Sequence, residues 1–466
     1  MSWARFLANG LAAANIIQSN RLSRTVDLSW PRIVTGFAIM SKRTVDLAIV
    51  GLAVGAEAVA GLTVANAFWM VGKFAFIGLA GGTLSLVSQN VGGEETERAR
   101  RVVVASLVIA AALAIPLVGL FGLYATPLIG LVGGGALATG YGAIYLTLIA
   151  PGVLFEALNL VASRSYAGVG DTRTPMVFRA AGAALNIVFS AGLVFGLGWG
   201  VAGAAVGTTV STALVAVIFA WGMTGRSYFG SGASPIPIGW IWPDRVLIGQ
   251  LARVATPLVA RRAAQGLAVF PLLAIAATFG PVVLAAIGVA RQVRALLGSL
   301  SWGFSIAAST LVGQALGADD EPLAVAYGTE ITRLSLAVYV LGAALVVGLA
   351  DPIAAIFVAD MTGTAAMFVT FAALSAIPLG VDGSITGALR GAGDTRVPFL
   401  ATLAGLYVVA LPVAWLGTVS ELGATALLVA LLAETGVPVL VNVLRFETGA
   451  WLVVSRSYRP ESASGD

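Results

Sequence analysis

The sequence predicts an all-α integral membrane protein, with twelve transmembrane helices in two pseudo-symmetric six-helix bundles around a central cavity. Three observations predict it. Of the 466 residues, 58% are hydrophobic and 10% charged, with a mean hydropathy of +0.95. Soluble domains carry roughly 25% charged residues, so a water-facing surface for this length cannot be assembled. Apolar runs near the ~20 residues that cross a ~30 Å hydrocarbon core recur along the whole chain, leaving no stretch for a separate soluble domain. Finally, the sequence repeats itself at about half its length. A membrane β-barrel would alternate in hydrophobicity instead of running continuously apolar, and the 57 glycines suit helices packed closely through small residues.

The elements follow in chain order. Residues 1–29 place Arg5, Arg21 and Arg24 around the weakly apolar "FLANGLAAANII". A cleaved signal peptide needs a stronger apolar core, so an interfacial helix on the cytoplasmic face is expected. Apolar runs bounded by Gly, Pro and charge then predict spans near 30–53, 57–90, 99–124, 138–164, 175–197 and 200–222, the amino-terminal lobe (30–222). A linker, 223–245, carries Gly, Ser, Pro and interfacial Trp and reads as cytoplasmic. Spans near 246–278, 281–315, 322–349, 363–389, 396–416 and 422–452 form the carboxyl-terminal lobe (246–452), followed by a cytoplasmic tail (453–466). Pro31 supplies either a hinge in span one or an ordinary first-turn proline.

Loop charge sets the orientation. The turns after even-numbered spans and the termini hold Arg98, Arg100, Arg101, Arg173, Arg226, Arg245, Arg396, Arg456 and Arg459, whereas the turns after odd-numbered spans, such as "GLGWG" and "LGTVSEL", hold no Lys or Arg. The positive-inside rule therefore puts both termini in the cytoplasm. The same rule accounts for the net charge of +4, so no nucleic-acid partner is implied. "GADDEP" at 317–322 is an acidic exception on a cytoplasmic turn.

The repeat has one register. "GVGDTRTP" at 168–175 returns as "GAGDTRVP" at 391–398, with Gly170 and Gly393 223 residues apart. "LVSQNVGGEE" at 86–95 resembles "LVGQALGADD" at 311–320, with Gln89 and Gln314 225 apart, and "AGLTVANAF" (60–68) lines up with "AAIGVARQV" (285–293). The shift contains six spans, an even number, so both copies keep one orientation and suit parallel lobes that rock to alternate access. The repeated turn is expected to leave one helix through its glycines and to cap the next with Asp171 and Thr172, its copy performing the same tasks.

Chemistry is restricted by absence: the chain has no Cys and no His, which removes disulfides, thiol chemistry, His metal sites and His proton relays. Proton or cation chemistry falls to carboxylates. Asp46 lies seven residues, ~10 Å, from the outer end of span one, where an ionised carboxylate needs water, a partner or an ion. The alternative is local pairing with Lys42, Arg43 or Lys73. The second half carries in-span Arg261, Arg262, Arg291, Arg294 and Arg333 against Asp382, Glu434 and Glu330, which predicts a net basic carboxyl-terminal cavity and an anionic or amphiphilic substrate, unless lipid phosphate or these acids pair them.

"VDLAIVG" (45–51), "QNVGGEE" (89–95), "GVGDTRTPM" (168–176), "ALNIV" (184–188) and "GALRGAGDTRVP" (387–398), in this order on a duplicated twelve-span frame, resemble the multidrug and toxic compound extrusion (MATE) transporters. The resemblance covers about residues 30–450 and is closest to the DinF-like branch, to which archaeal members belong. It implies a secondary antiporter of the cell membrane that expels organic compounds while H⁺ or Na⁺ flows inward, with no cofactor, working as a monomer among lipids. It also implies a cation or proton site formed by Asp46, Asn186, Ser190, Ala204 and Thr208, with any Na⁺ held at Asp46, Asn186 and Thr208. Counted independently, Ser190 lies ~10 Å and Thr208 ~12 Å from the outer surface, near the depth of Asp46. Ser190 stands where the family pattern has a carboxylate, and hard cations want carboxylate oxygen, which favours H⁺. In the second lobe the family's acidic span-seven position falls on Gln265 and its span-ten Asp on Asp382. A substrate cavity is expected from Glu156, Gln265, Arg261, Arg291, Arg294, Asp382 and Glu434, with Glu156 and Glu434 either binding substrate or neutralising Arg. A flippase for lipid-linked saccharides or another anionic amphiphile is the nearest transporter alternative. An enzyme has no His, Cys or paired carboxylates to work with, and a scaffold has no need of Asp46.

Overall fold

The computed structural model describes residues 10–132, 135–227, 233–234, 236–239, 245–357 and 362–459, all helix, turn and coil with no strand among them. Twelve long helices appear where hydropathy puts them: α1 Ser19–Ala53, α2 Ala56–Gly92, α3 Thr96–Leu123, α4 Ala136–Val169, α5 Arg173–Ala191 and α6 Gly200–Met223; then α7 Arg245–Leu267, continued by Val269–Thr278, α8 Pro281–Gly317, α9 Glu321–Gly348, α10 Thr362–Gly391, α11 from Arg396 to Val419, and α12 Thr425–Glu447. Eleven of these are long and apolar enough to cross a membrane. α1 is the exception, because Arg21, Arg24, Asp27, Arg32, Lys42, Arg43 and Asp46 all lie in it. The protein is an all-α integral membrane protein whose membrane helices form two bundles of six.

Several expectations are corrected. Residues 19–29 are no separate interfacial helix: they continue into span one, and Ile17 and Leu28 are buried in an apolar core with Phe304, Leu311 and Trp451. Pro31 therefore sits inside α1, which removes the first-turn reading. The last predicted span breaks at Gly449, where a left-handed backbone (φ 67°) starts a short helix, Ala450–Arg456. Two turns between spans contain short helices, Ala125–Gly130 and Ala350–Phe357. Spans five and eleven carry π-helical stretches, Gly192–Gly196 and Ala404–Ala410. Residues 228–232, 235 and 240–244 of the 223–245 linker and the 460–466 end of the tail lie outside the described residues.

The chain divides into two compact units. One comprises Val34–Val87 with Glu95–Val259, the other Met1–Ile33, Ser88–Glu94 and Ala260–Asp466. In the first, helices approach through small residues: Ala58, Ala65, Ala105, Ala110 and Ala157 are fully buried, while Ile115, Val188 and Val217 are more than half exposed. That is the pattern for helices whose outer faces meet lipid tails, since contact between backbones, not water exclusion, drives association there.

The repeated turn keeps its backbone and changes its side-chain duties. Gly170 and Gly393 both take positive φ, 103° and 83°, a conformation Gly adopts without steric cost. Asp171 Oδ1 accepts from the Thr174 amide at 2.9 Å, a cap for α5, whereas Thr172 makes no side-chain cap bond. In the second copy Asp394 instead accepts from Arg445 Nε at 2.7 Å. In the second unit Gln89 donates to Gly391 O at 2.7 Å, joining the first copy of one repeated motif to the second copy of the other. The acidic exception also finds its reason there: Asp319 and Glu321 pair with Arg459 at 2.8 and 2.6 Å, and Glu321 with Arg456 at 3.1 Å.

Candidate transport site

In the first unit, α1, α5 and α6 bring four of the predicted residues together. Asp46 is buried, and Asn186 and Ser190 are fully so. With its amide oriented to complete the network, Asn186 Nδ2 donates to Asp46 Oδ1 and Oδ2 at 3.0 and 3.1 Å while its oxygen accepts from Thr208 Oγ1 at 2.8 Å. Thr208 Oγ1 lies 3.3 Å from Asp46 Oδ2. Ser190 stands beside this group with its hydroxyl buried and making no hydrogen bond, and Tyr145 lines the cavity with Asp46 and Thr208. Ala204 is buried one turn from Thr208 but does not line the cavity.

The approach of α5 to α6 depends on Gly207, where a Cβ would stand 2.8 Å from Ser190 N and 2.9 Å from its Oγ. A larger residue at this position separates the helices at the level of Asp46.

Asp46 is not locally ion-paired: among the described residues no cation lies within 4.0 Å of its carboxylate. Arg43 donates to Asn66 O at 3.4 Å, and Lys73 pairs with Glu156. Neutral donors therefore offset the cost of placing this charge in the bundle.

A cavity of about 130 Å³ opens beside Asp46, lined by Lys42, Arg43, Trp69, Met70, Lys73, Tyr145, Asn159, Glu156 and Arg179, among others. Glu156 shares it yet is fully engaged. Arg179 holds it bidentately at 2.8 and 2.9 Å and Lys73 pairs with it from α2, so of its two readings the geometry supports neutralisation. Glu156 thus stands in a different unit from the six residues grouped with it. Tyr145, Asn159 and Arg179 were not singled out in sequence. An in-span arginine such as Arg179 carried a usable signal.

The other unit holds a smaller cavity, about 40 Å³, lined by Arg261, Gln265, Arg294, Asp382 and Glu434 among others. Asp382 takes Arg261 at 2.5 Å and the Asn442 amide at 2.9 Å. Glu434 takes Arg294 bidentately at 2.9 and 2.6 Å, with Arg291 3.7 Å away and outside the lining. Arg333 donates to Asn15 O, and Glu330 is held by Arg21. The expected net basic cavity is not found here, because two cations and two carboxylates balance in its lining.

Twelve helices in two bundles, each enclosing a polar pocket in an apolar wall, define a multi-pass transporter of small molecules. The MatE family model matches residues 31–191 and 257–416, and the chain belongs to this family, the MATE transporters. It is 28% identical over 450 residues to a probable multidrug resistance protein NorM of Bradyrhizobium diazoefficiens, covering 91% of this chain and 92% of that one. It is 30% identical over 307 residues to the multidrug resistance protein PmpM of Pseudomonas aeruginosa, covering 62% and 61%. Its fold matches a crystal structure of MATE in the bent conformation with a TM-score of 0.86 at 20% identity, over 94% of this chain and 97% of that one.

Proposed function

We propose that the protein is a secondary active antiporter of the cell membrane, with both termini cytoplasmic, exporting organic and amphiphilic compounds in exchange for H⁺ by rocking-bundle alternating access. The observation that carries this reading is Asp46, an intramembrane carboxylate bound by Asn186 and set against Thr208 and Ser190 at the wall of a polar cavity. Such a group has a function by default. Serine in place of a second carboxylate leaves too little negative oxygen for Na⁺, and Lys42 in the same cavity further repels a hard cation. Asp46 loads a proton from outside and releases it inside, with no cofactor.

The test is efflux from proteoliposomes under separately imposed pH and Na⁺ gradients. The pH gradient alone is expected to drive efflux, and Asp46→Asn to abolish it with the protein still folded. Efflux driven only by Na⁺, or unchanged in Asp46→Asn, refutes the reading. A second reading, export of an acidic amphiphile, is favoured by the surplus of cations around Asp46.

A further inference from the structure

Four cations and two carboxylates line the cavity beside Asp46: Lys42, Arg43, Lys73 and Arg179 against Asp46 and Glu156. Two positive charges are therefore in excess, in the lobe where the sequence count did not place them. Lys73 and Arg179 are committed to Glu156. Lys42 and Arg43 have no carboxylate within 4.0 Å among the described residues. Lys42 stands one turn before Asp46 on α1, yet Asn186 holds that carboxylate, so the ammonium stays available. Uncompensated cations inside a membrane helix bundle are costly and mark a functional site by default, and the partner that would offset their charge is an anion. Ile39, Trp69, Met70, Ile149 and Val215 supply apolar wall.

From this placement we infer that the amino-terminal cavity receives the acidic head of an anionic amphiphile, with Lys42 and Arg43 as its anchors. The volume of about 130 Å³ is below the roughly 300–1,000 Å³ of drug-sized sites, which suits one phosphate, sulfonate or carboxylate head and not a whole bulky cation. The inference rests on the reading that this cavity loads the transported compound. It does not depend on Asp46 being the coupling group, because the anchors and the proton site are different side chains.

The full-length protein in discs of phosphatidylcholine is titrated with dodecyl phosphate and with dodecyltrimethylammonium, which share a tail and differ in head charge. Dodecyl phosphate is expected to bind at least about tenfold more tightly, and Lys42→Gln to weaken it about thirtyfold, the low end of the loss from removing one partner of a buried charge pair. Lys42→Arg, which keeps the charge, is expected to restore binding, and unchanged thermal unfolding of both variants excludes misfolding. Loss of dodecyl phosphate binding on replacing phosphatidylcholine by phosphatidylglycerol identifies a lipid headgroup as the occupant. Retention identifies a soluble acid, and both support the inference. Equal or tighter binding of dodecyltrimethylammonium, or no effect of Lys42→Gln, overturns it. H⁺ coupling is judged apart, from transport by Asp46→Asn, so either reading can fail without the other.

Discussion

Asp46 and Glu156 share a cavity and solve the same problem in opposite ways. Glu156 is neutralised by Arg179 and Lys73, and Asp46 is held by the Asn186 amide. A carboxylate held by two cations is structural: Glu156→Gln leaves Arg179 and Lys73 uncompensated and is expected to lower stability by about 3–5 kcal/mol, the usual cost of breaking a buried pair, read from the thermal unfolding midpoint in detergent. A carboxylate held by neutral donors remains free to exchange its proton. Ser190 stands where the resemblance implies a second carboxylate. Restoring it with Ser190→Asp is predicted to make efflux respond to an imposed Na⁺ gradient that leaves the unaltered protein unaffected, and a variant still indifferent to Na⁺ removes this explanation of ion choice. The depth of these residues was legible by counting 1.5 Å per residue, which put Asp46, Ser190 and Thr208 at one level. Counting gives height and not direction around the helix, so that Lys42 shares the cavity while Lys73 belongs to Glu156 was not legible.

At the scale of elements, the site exists because α5 and α6 touch. Gly207 permits that contact, since a Cβ there would meet Ser190 N at 2.8 Å. Gly207→Val is predicted to cost about 1–3 kcal/mol, as overpacking does, and to abolish gradient-driven efflux with helical content unchanged by circular dichroism. Gly192→Ala, on the continuation of α5 with open space at its Cβ, is the control and should transport normally. Active Gly207→Val would show that the α5 to α6 approach does not position Asp46. The spans themselves were legible because hydropathy registers each helix independently. The ends were harder. Residues 19–29 look interfacial in sequence because their charges are solvated one by one, whereas in the fold Arg21 meets Glu330 at 2.5 Å, a residue more than three hundred positions away. The acidic 317–322 turn violates the charge rule only until the tail's Arg456 and Arg459 are seen against it.

At the scale of the whole molecule, charge placement separates two kinds of exchanger. The arginines of the second half can be counted from the sequence, but their partners cannot be read there. Asp382 and Glu434 balance the lining of that half's cavity, and the surplus stands around Asp46 instead. One proton entering against one organic cation leaving moves no net charge, so a membrane potential does not drive it. One proton entering against one monoanion leaving moves two charges in the same electrical direction, and an inside-negative potential of 100 mV then supplies roughly 4.6 kcal/mol, at about 2.3 kcal/mol per charge. Proteoliposomes with an inside-negative potassium diffusion potential and no pH gradient are therefore predicted to export dodecyl phosphate, and to stop when the potential is collapsed. Export of dodecyl phosphate that ignores the potential and follows only the pH gradient would mean that the exchange is electroneutral, and would overturn the one-for-one exchange of a proton for a monoanion.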